Sequence, residues 1–272
     1  MPEPFLRYNG IQSSESGQSQ ELMPKNDSFG KPANSPLPDW WHQIAAPCLV
    51  VFGVVMLALL FATIFRMSFF PVEGPDPGTW AYSPAFLTWI TLGTFQLACV
   101  LLMMTYVQSQ FPGKLSYTFA WKRPYTSANQ TLSTVLVIIT VLLVVSWIAF
   151  NFFWSDVERD LRLFKRLIGS SDLKLPILVL CIGAPLAEEL LIRGYLFGRL
   201  SNSQIGPVGA ALVTTIGWTL LHWGYSIVGI IEVFVAGLLF SWALWRTGSL
   251  WVPLCLHAIY NATVLTVITS MP

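Results

Sequence analysis

The residues of this chain best suited to chemistry are ionisable side chains inside strongly apolar stretches. Each costs about 2.5 to 3.5 kcal/mol to place at the centre of a membrane helix, so each needs a reason to be there. The densest group is Ala187-Glu188-Glu189-Leu190-Leu191-Ile192-Arg193. On a helix Glu189 and Arg193 stand at i and i+4, close enough for an ion pair. Glu188 is turned about 100° from Glu189. The spacing therefore predicts a division of labour: Arg193 neutralises Glu189, and Glu188 is left to face a polar cavity. The plainer alternative is a structural charge cluster near a membrane boundary.

The chain has 3 histidines, of which His42 lies in a polar flank and His222 and His257 in later apolar segments. A lone buried histidine usually satisfies a packing role, because buried polar groups are hydrogen-bonded. Two of them on separate segments downstream of a diglutamate point to a shared site. His257 and Asn261 are four apart and project from one helix face. Both can donate hydrogen bonds to a developing oxyanion, or alternatively tie neighbouring helices together. Trp218 stands four residues before His222 and is placed to pack over its imidazole. Glu232 follows with no evident basic partner, as an interfacial residue or a minor part of the cavity lining.

The elements that must hold these groups are set by composition. Of 272 residues 54% are hydrophobic and 11% charged, and mean hydropathy is +0.60, far from the roughly 25% charged residues of a soluble domain. The net charge of +1 with mixed signs offers no basic face for nucleic acid. Cys48, Cys99, Cys181 and Cys255 are widely spaced in apolar stretches and read as small buried apolar residues, without a disulfide framework or a cysteine metal site.

Residues 1–43 are rich in Ser, Pro, Gly, Asn and Gln and bury too little to offset ordering entropy, so a disordered tail is expected. The tail lacks signal-peptide features, so the first apolar segment should remain in the mature protein. From 44 to 272 apolar runs long enough to cross about 30 Å of hydrocarbon recur, near 44–65, 84–107, 131–153, 175–197, 208–224, 227–246 and 249–270. The expected fold is an all-α, polytopic transmembrane bundle of about 7 to 8 spans. Between the third and fourth spans, Val157, Leu161, Phe164 and Ile168 form one stripe of an interfacial amphipathic helix. Lys114, Lys122 and Arg123 in the 108–130 loop put that loop and the N-terminal tail in the cytoplasm. The 154–174 connection, with five basic residues against four acids, would then lie outside, against the same rule.

In order, Glu188-Glu189-xxx-Arg193, Trp218-xxx-His222 and His257-xxx-Asn261 resemble the three motifs of the CAAX protease and bacteriocin-processing enzyme family, intramembrane proteases that include the type II CAAX prenyl endopeptidases. The resemblance covers roughly residues 130–270. The family's second motif commonly begins with Phe, where this chain has Trp218, so an aromatic is kept. The resemblance implies that Glu188 and His222 activate a water while His257 and Asn261 stabilise the tetrahedral oxyanion, with Glu189, Arg193 and Trp218 in support.

The residues themselves are compatible with that chemistry. A desolvated glutamate gains proton affinity and suits a general base, and donors aimed at an oxyanion are worth about 2.7 to 4 kcal/mol each. Glu188, His222 and His257 would also make a zinc-compatible set, although no HExxH motif is present and the resemblance favours catalysis without a metal cofactor. The expected partners are a lipid bilayer and a membrane-associated peptide or protein, prenylated or bacteriocin-like, and the expected location is a cell membrane (the inner one in a bacterium). A proton-coupled transporter using Glu188, His222 and Glu232 as a relay, or a non-catalytic membrane scaffold, are the competing readings.

Overall fold

The computed structural model describes residues 38–70, 82–168 and 173–271. Most of the expected tail, and the segment 71–81 after the first span, lie outside the described residues. Among the described residues the fold is helical throughout. Six helices are long and apolar enough to cross a membrane: α1 Trp41–Phe69, α2 Pro84–Gln110, α3 Ala128–Phe152, α5 Lys174–Ser201, α7 Ile227–Thr247 and α8 Trp251–Ser270. Two shorter helices, α4 Trp154–Ile168 and α6 Gly206–Leu220, lie among them, and a single helical turn, Leu115–Thr118, follows α2. The chain is a multi-pass integral membrane protein.

The expected 208–224 span differs from the structure. α6 has 15 residues, about 22 Å at 1.5 Å per residue, short of the 30 Å of hydrocarbon. It stops because the chain tightens: Leu221 N–H bonds the Trp218 carbonyl at 3.1 Å and His222 N–H the Thr219 carbonyl at 2.9 Å. His222 consequently sits on a turn after the helix and not within a span. The described residues therefore hold six helices long and apolar enough to span a membrane and one shorter apolar helix, α6. α1 also begins slightly before residue 44, at Trp41.

Side-chain chemistry accounts for the helix starts. Ser83 caps α2 by accepting from Phe86 N–H, and Ser127 forms a reciprocal capping box with Gln130 on α3; such caps are worth about 1 kcal/mol each. Outward residues such as Leu49, Phe52, Leu57 and Phe61 on α1 are large, apolar and exposed, as a lipid-facing helix requires. α5 is the most enclosed of the six long helices, and Arg193, Tyr195 and Phe197 on it are fully buried. On α4 the apolar stripe turns inward: Val157 and Ile168 are buried, and Leu161 and Phe164 line an internal cavity.

Candidate active site

α5 leaves regular α-helical geometry twice, over Ile177–Gly183 and Glu189–Phe197, where it is π-helical. Between these stretches lies Ala184–Glu188. π-Helical segments are rare and concentrate at functional sites; here the second begins within the diglutamate, at Glu189.

Glu189 and Arg193 are both fully buried and meet at 2.9 Å between Oε1 and Nη1. Arg193 also donates from Nη2 to the Gly237 carbonyl at 3.2 Å and lies with its Cζ 4.4 Å from the centre of the Trp218 ring. This is how a buried guanidinium is accommodated: a carboxylate, a carbonyl and an aromatic face replace water. Glu189 Oε1 serves a second partner, His257 Nδ1, at 2.9 Å. The diglutamate is thus bolted to α7 through Arg193 and to α8 through His257.

Glu188 points elsewhere. Its side chain is 27% exposed and lines a cavity of about 440 Å³ walled by residues of α2 to α8. Trp218 Nε1 donates to Glu188 Oε2, and His257 Nε2 stands 3.9 Å from the same oxygen. His222, Asn261 and Glu232 line the same cavity. All the residues singled out from the sequence therefore converge, with Glu189 and Arg193 behind the wall and the others on it.

The histidines are held by ring contacts and hydrogen bonds. His222 Nδ1 lies 3.0 Å from the Trp218 carbonyl, and its ring meets Trp218 edge-on at 5.1 Å and Tyr225 at 5.3 Å. His257 stacks on Phe240 at 5.2 Å. Asn261 donates from Nδ2 to the Leu180 carbonyl at 2.8 Å, which gives a partner to backbone in the first π-helical stretch. Glu232 lines the cavity together with Ser146 and Tyr260.

The turn carrying His222 is anchored by α4. Asp160 accepts from Ser226 N–H at 2.9 and 3.0 Å and from Ser226 Oγ, while Ser226 Oγ caps α7 by accepting from Gly229 N–H at 3.0 Å. Tyr225 lies in this turn, outside the spans, and burial pushes its phenol well above the usual range, so it stays a neutral hydroxyl. Among the described residues no three His, Cys, Asp or Glu side chains are grouped to hold a metal ion. Glu188, His222 and His257 share the cavity but do not form a ready-made tetrahedral zinc site.

Sequence reading overlooked several participants. Asp160 was submerged in the mixed charges of the amphipathic helix. Phe240 and the Gly237 carbonyl carry no sequence signal. Gln96, which lines the cavity, did have one: it is a carboxamide in the middle of an apolar span, a placement that demands an explanation.

Residues 170–263 match the model of the family described as Type II CAAX prenyl endopeptidase Rce1-like. The UPF0177 protein YxdF of Lactococcus lactis subsp. lactis (strain IL1403) is 34% identical over 108 residues, 38% of this chain and 49% of that protein. The match thus spans about half the length of that curated relative. No solved structure matches the chain.

Proposed function

We propose, from the match of residues 170–263 to the Type II CAAX prenyl endopeptidase Rce1-like family, that this chain belongs to the CAAX protease and bacteriocin-processing enzyme family and is an intramembrane endopeptidase of the glutamate type. One observation carries this reading. Of two adjacent glutamates, one is fully buried against Arg193 and His257, and the other is held at the wall of a cavity beside two histidines and an asparagine.

In this reading Glu188 takes a proton from a cavity water as its oxygen attacks the peptide carbonyl carbon, with His222 orienting the water. The carbonyl π electrons move to oxygen, and His257 and Asn261 bind the oxyanion. On collapse the C–N bond breaks and Glu188 returns its proton to the leaving nitrogen, which restores the carboxylate. Microscopic consistency constrains His257. With Nδ1 donating to Glu189, Nε2 is a donor only in the imidazolium form. The mechanism requires no metal. The substrate is a membrane-associated peptide or protein whose scissile bond reaches the cavity; prenylated and bacteriocin-like peptides are the classes the family brings forward.

The test is to compare peptides in membranes carrying the wild-type chain and Glu188→Gln. A general base contributes about 10²- to 10⁴-fold, so one or more peptides should accumulate uncut with the variant, which itself inserts normally. His222→Ala and His257→Ala should accumulate the same peptides. If all three variants process every peptide as the wild type does, the chain is not a protease of this kind.

A further inference from the structure

Gln96 lines the cavity without a role in the motifs or the proposed mechanism, although it is costly to keep. It lies near the middle of α2 and is 5% exposed, and its Oε1 is buried without a hydrogen-bond partner. Leaving a buried acceptor unsatisfied costs about 1 to 3 kcal/mol, and an apolar residue of similar shape would avoid that cost. The fold also makes space for it. A Cβ added at Gly183 would stand 2.2 Å from Gln96 Oε1 and 3.2 Å from Cδ, so only glycine at 183 lets the carboxamide lie against α5. Gly183 is five residues before Glu188 and three after Leu180, whose carbonyl holds Asn261.

We infer that Gln96 is a substrate-binding residue, whose carboxamide pairs with a peptide group of an extended substrate backbone lying along the cavity beside Glu188. This rests on the peptidase reading above. A peptide segment drawn into a cavity walled by Leu92, Leu142, Phe164 and Val264 leaves its water behind, and its N–H and C=O groups then need partners. A carboxamide offers one donor group and one acceptor, which match a peptide unit. The terminal torsion of glutamine is broad and two-fold, so a half-turn exchanges the oxygen and the nitrogen. The empty valence of Oε1 is filled when substrate enters, and binding energy replaces a standing penalty. Gln96 binds without touching the proton transfers, so its contribution belongs to KM more than to kcat.

The experiment uses the full chain in detergent and a quenched fluorescent apolar peptide that the wild type cleaves and Glu188→Gln does not. Gln96→Met keeps the volume and removes the amide. It should raise KM about tenfold, leave kcat within about threefold, and keep or raise the melting temperature. Gly183→Ala, which displaces the carboxamide without deleting it, should give the same KM shift and add nothing on top of Gln96→Met. A second arm replaces each backbone N–H of the peptide in turn by N-methyl. At one position the methyl should raise KM in the wild type and have no further effect on Gln96→Met. An unchanged KM in Gln96→Met, a lowered melting temperature with only kcat affected, or an N-methyl effect equal in both proteins would overturn the inference. If instead Glu188→Gln cleaves every peptide that the wild type cleaves, the peptidase reading itself has failed, and the two failures remain distinct.

Discussion

Glu189 Oε1 and His257 Nδ1 meet at 2.9 Å across 68 residues of sequence, on the same oxygen that binds Arg193 at 2.9 Å. One carboxylate oxygen thus fixes both a cation on its own helix and the orientation of an imidazole on another. His257 Nε2 is thereby aimed into the cavity beside Glu188.

The Glu189 and Arg193 pair should behave as a unit. Removing one partner of a buried ion pair costs about 3 to 5 kcal/mol, because the other charge is left uncompensated. Arg193→Leu should therefore lower unfolding stability in detergent by about that amount. The Glu189→Leu, Arg193→Leu double variant should recover part of it, yet remain inactive because His257 has lost its anchor. Equal stability of Arg193→Leu and wild type would show that the pair is not a structural bolt.

Trp218 links the buried pair to Glu188, and Gly237 gives it space. A Cβ at Gly237 would approach Trp218 Cε3 to 3.0 Å and Thr215 Cγ2 to 2.7 Å. Gly237→Ala should cost about 1 to 3 kcal/mol by overpacking and should also reduce proteolysis, as the indole is pushed off Glu188. Tryptophan fluorescence alongside activity separates the two effects; a destabilised variant with full activity per folded molecule would argue against the link.

Asp160 holds the His222 turn from a distance. Asp160→Ala strips Ser226 of its acceptor and should destabilise by about 0.5 to 2 kcal/mol, the range of a lost helix cap. Hydrogen exchange should speed up over residues 221–230 while α5 remains protected. Uniform loss of protection throughout the bundle would mean that Asp160 serves global stability instead.

Proteolysis should persist after treatment with a strong zinc chelator, and added zinc should not raise it. Activity lost on chelation and restored by zinc alone would favour the alternative ligand set of Glu188, His222 and His257.

Much was legible in the sequence because the bilayer is a strict solvent. Apolar runs of sufficient length have to be helices, and the six long ones follow. Intramembrane charge is expensive, so Glu188, Glu189, Arg193, His222 and His257 stood out against their surroundings. The i and i+4 spacing of Glu189 and Arg193 is local geometry, and helical periodicity sufficed to pair them. The 208–224 segment was overextended because hydropathy does not register where a helix tightens into a turn; Leu221 and Trp223 are apolar but lie beyond the last turn of α6.

What the chain alone determined is which side chains are too costly to be there without purpose, since transfer into hydrocarbon is a property of each residue. Tertiary structure decided which of them share a space. The contact of His257 with Glu189, the Trp218 hydrogen bond to Glu188 and the unpartnered Gln96 against Gly183 each join helices far apart in sequence. Such contacts depend on how helices rotate and approach one another, and no local periodicity encodes that.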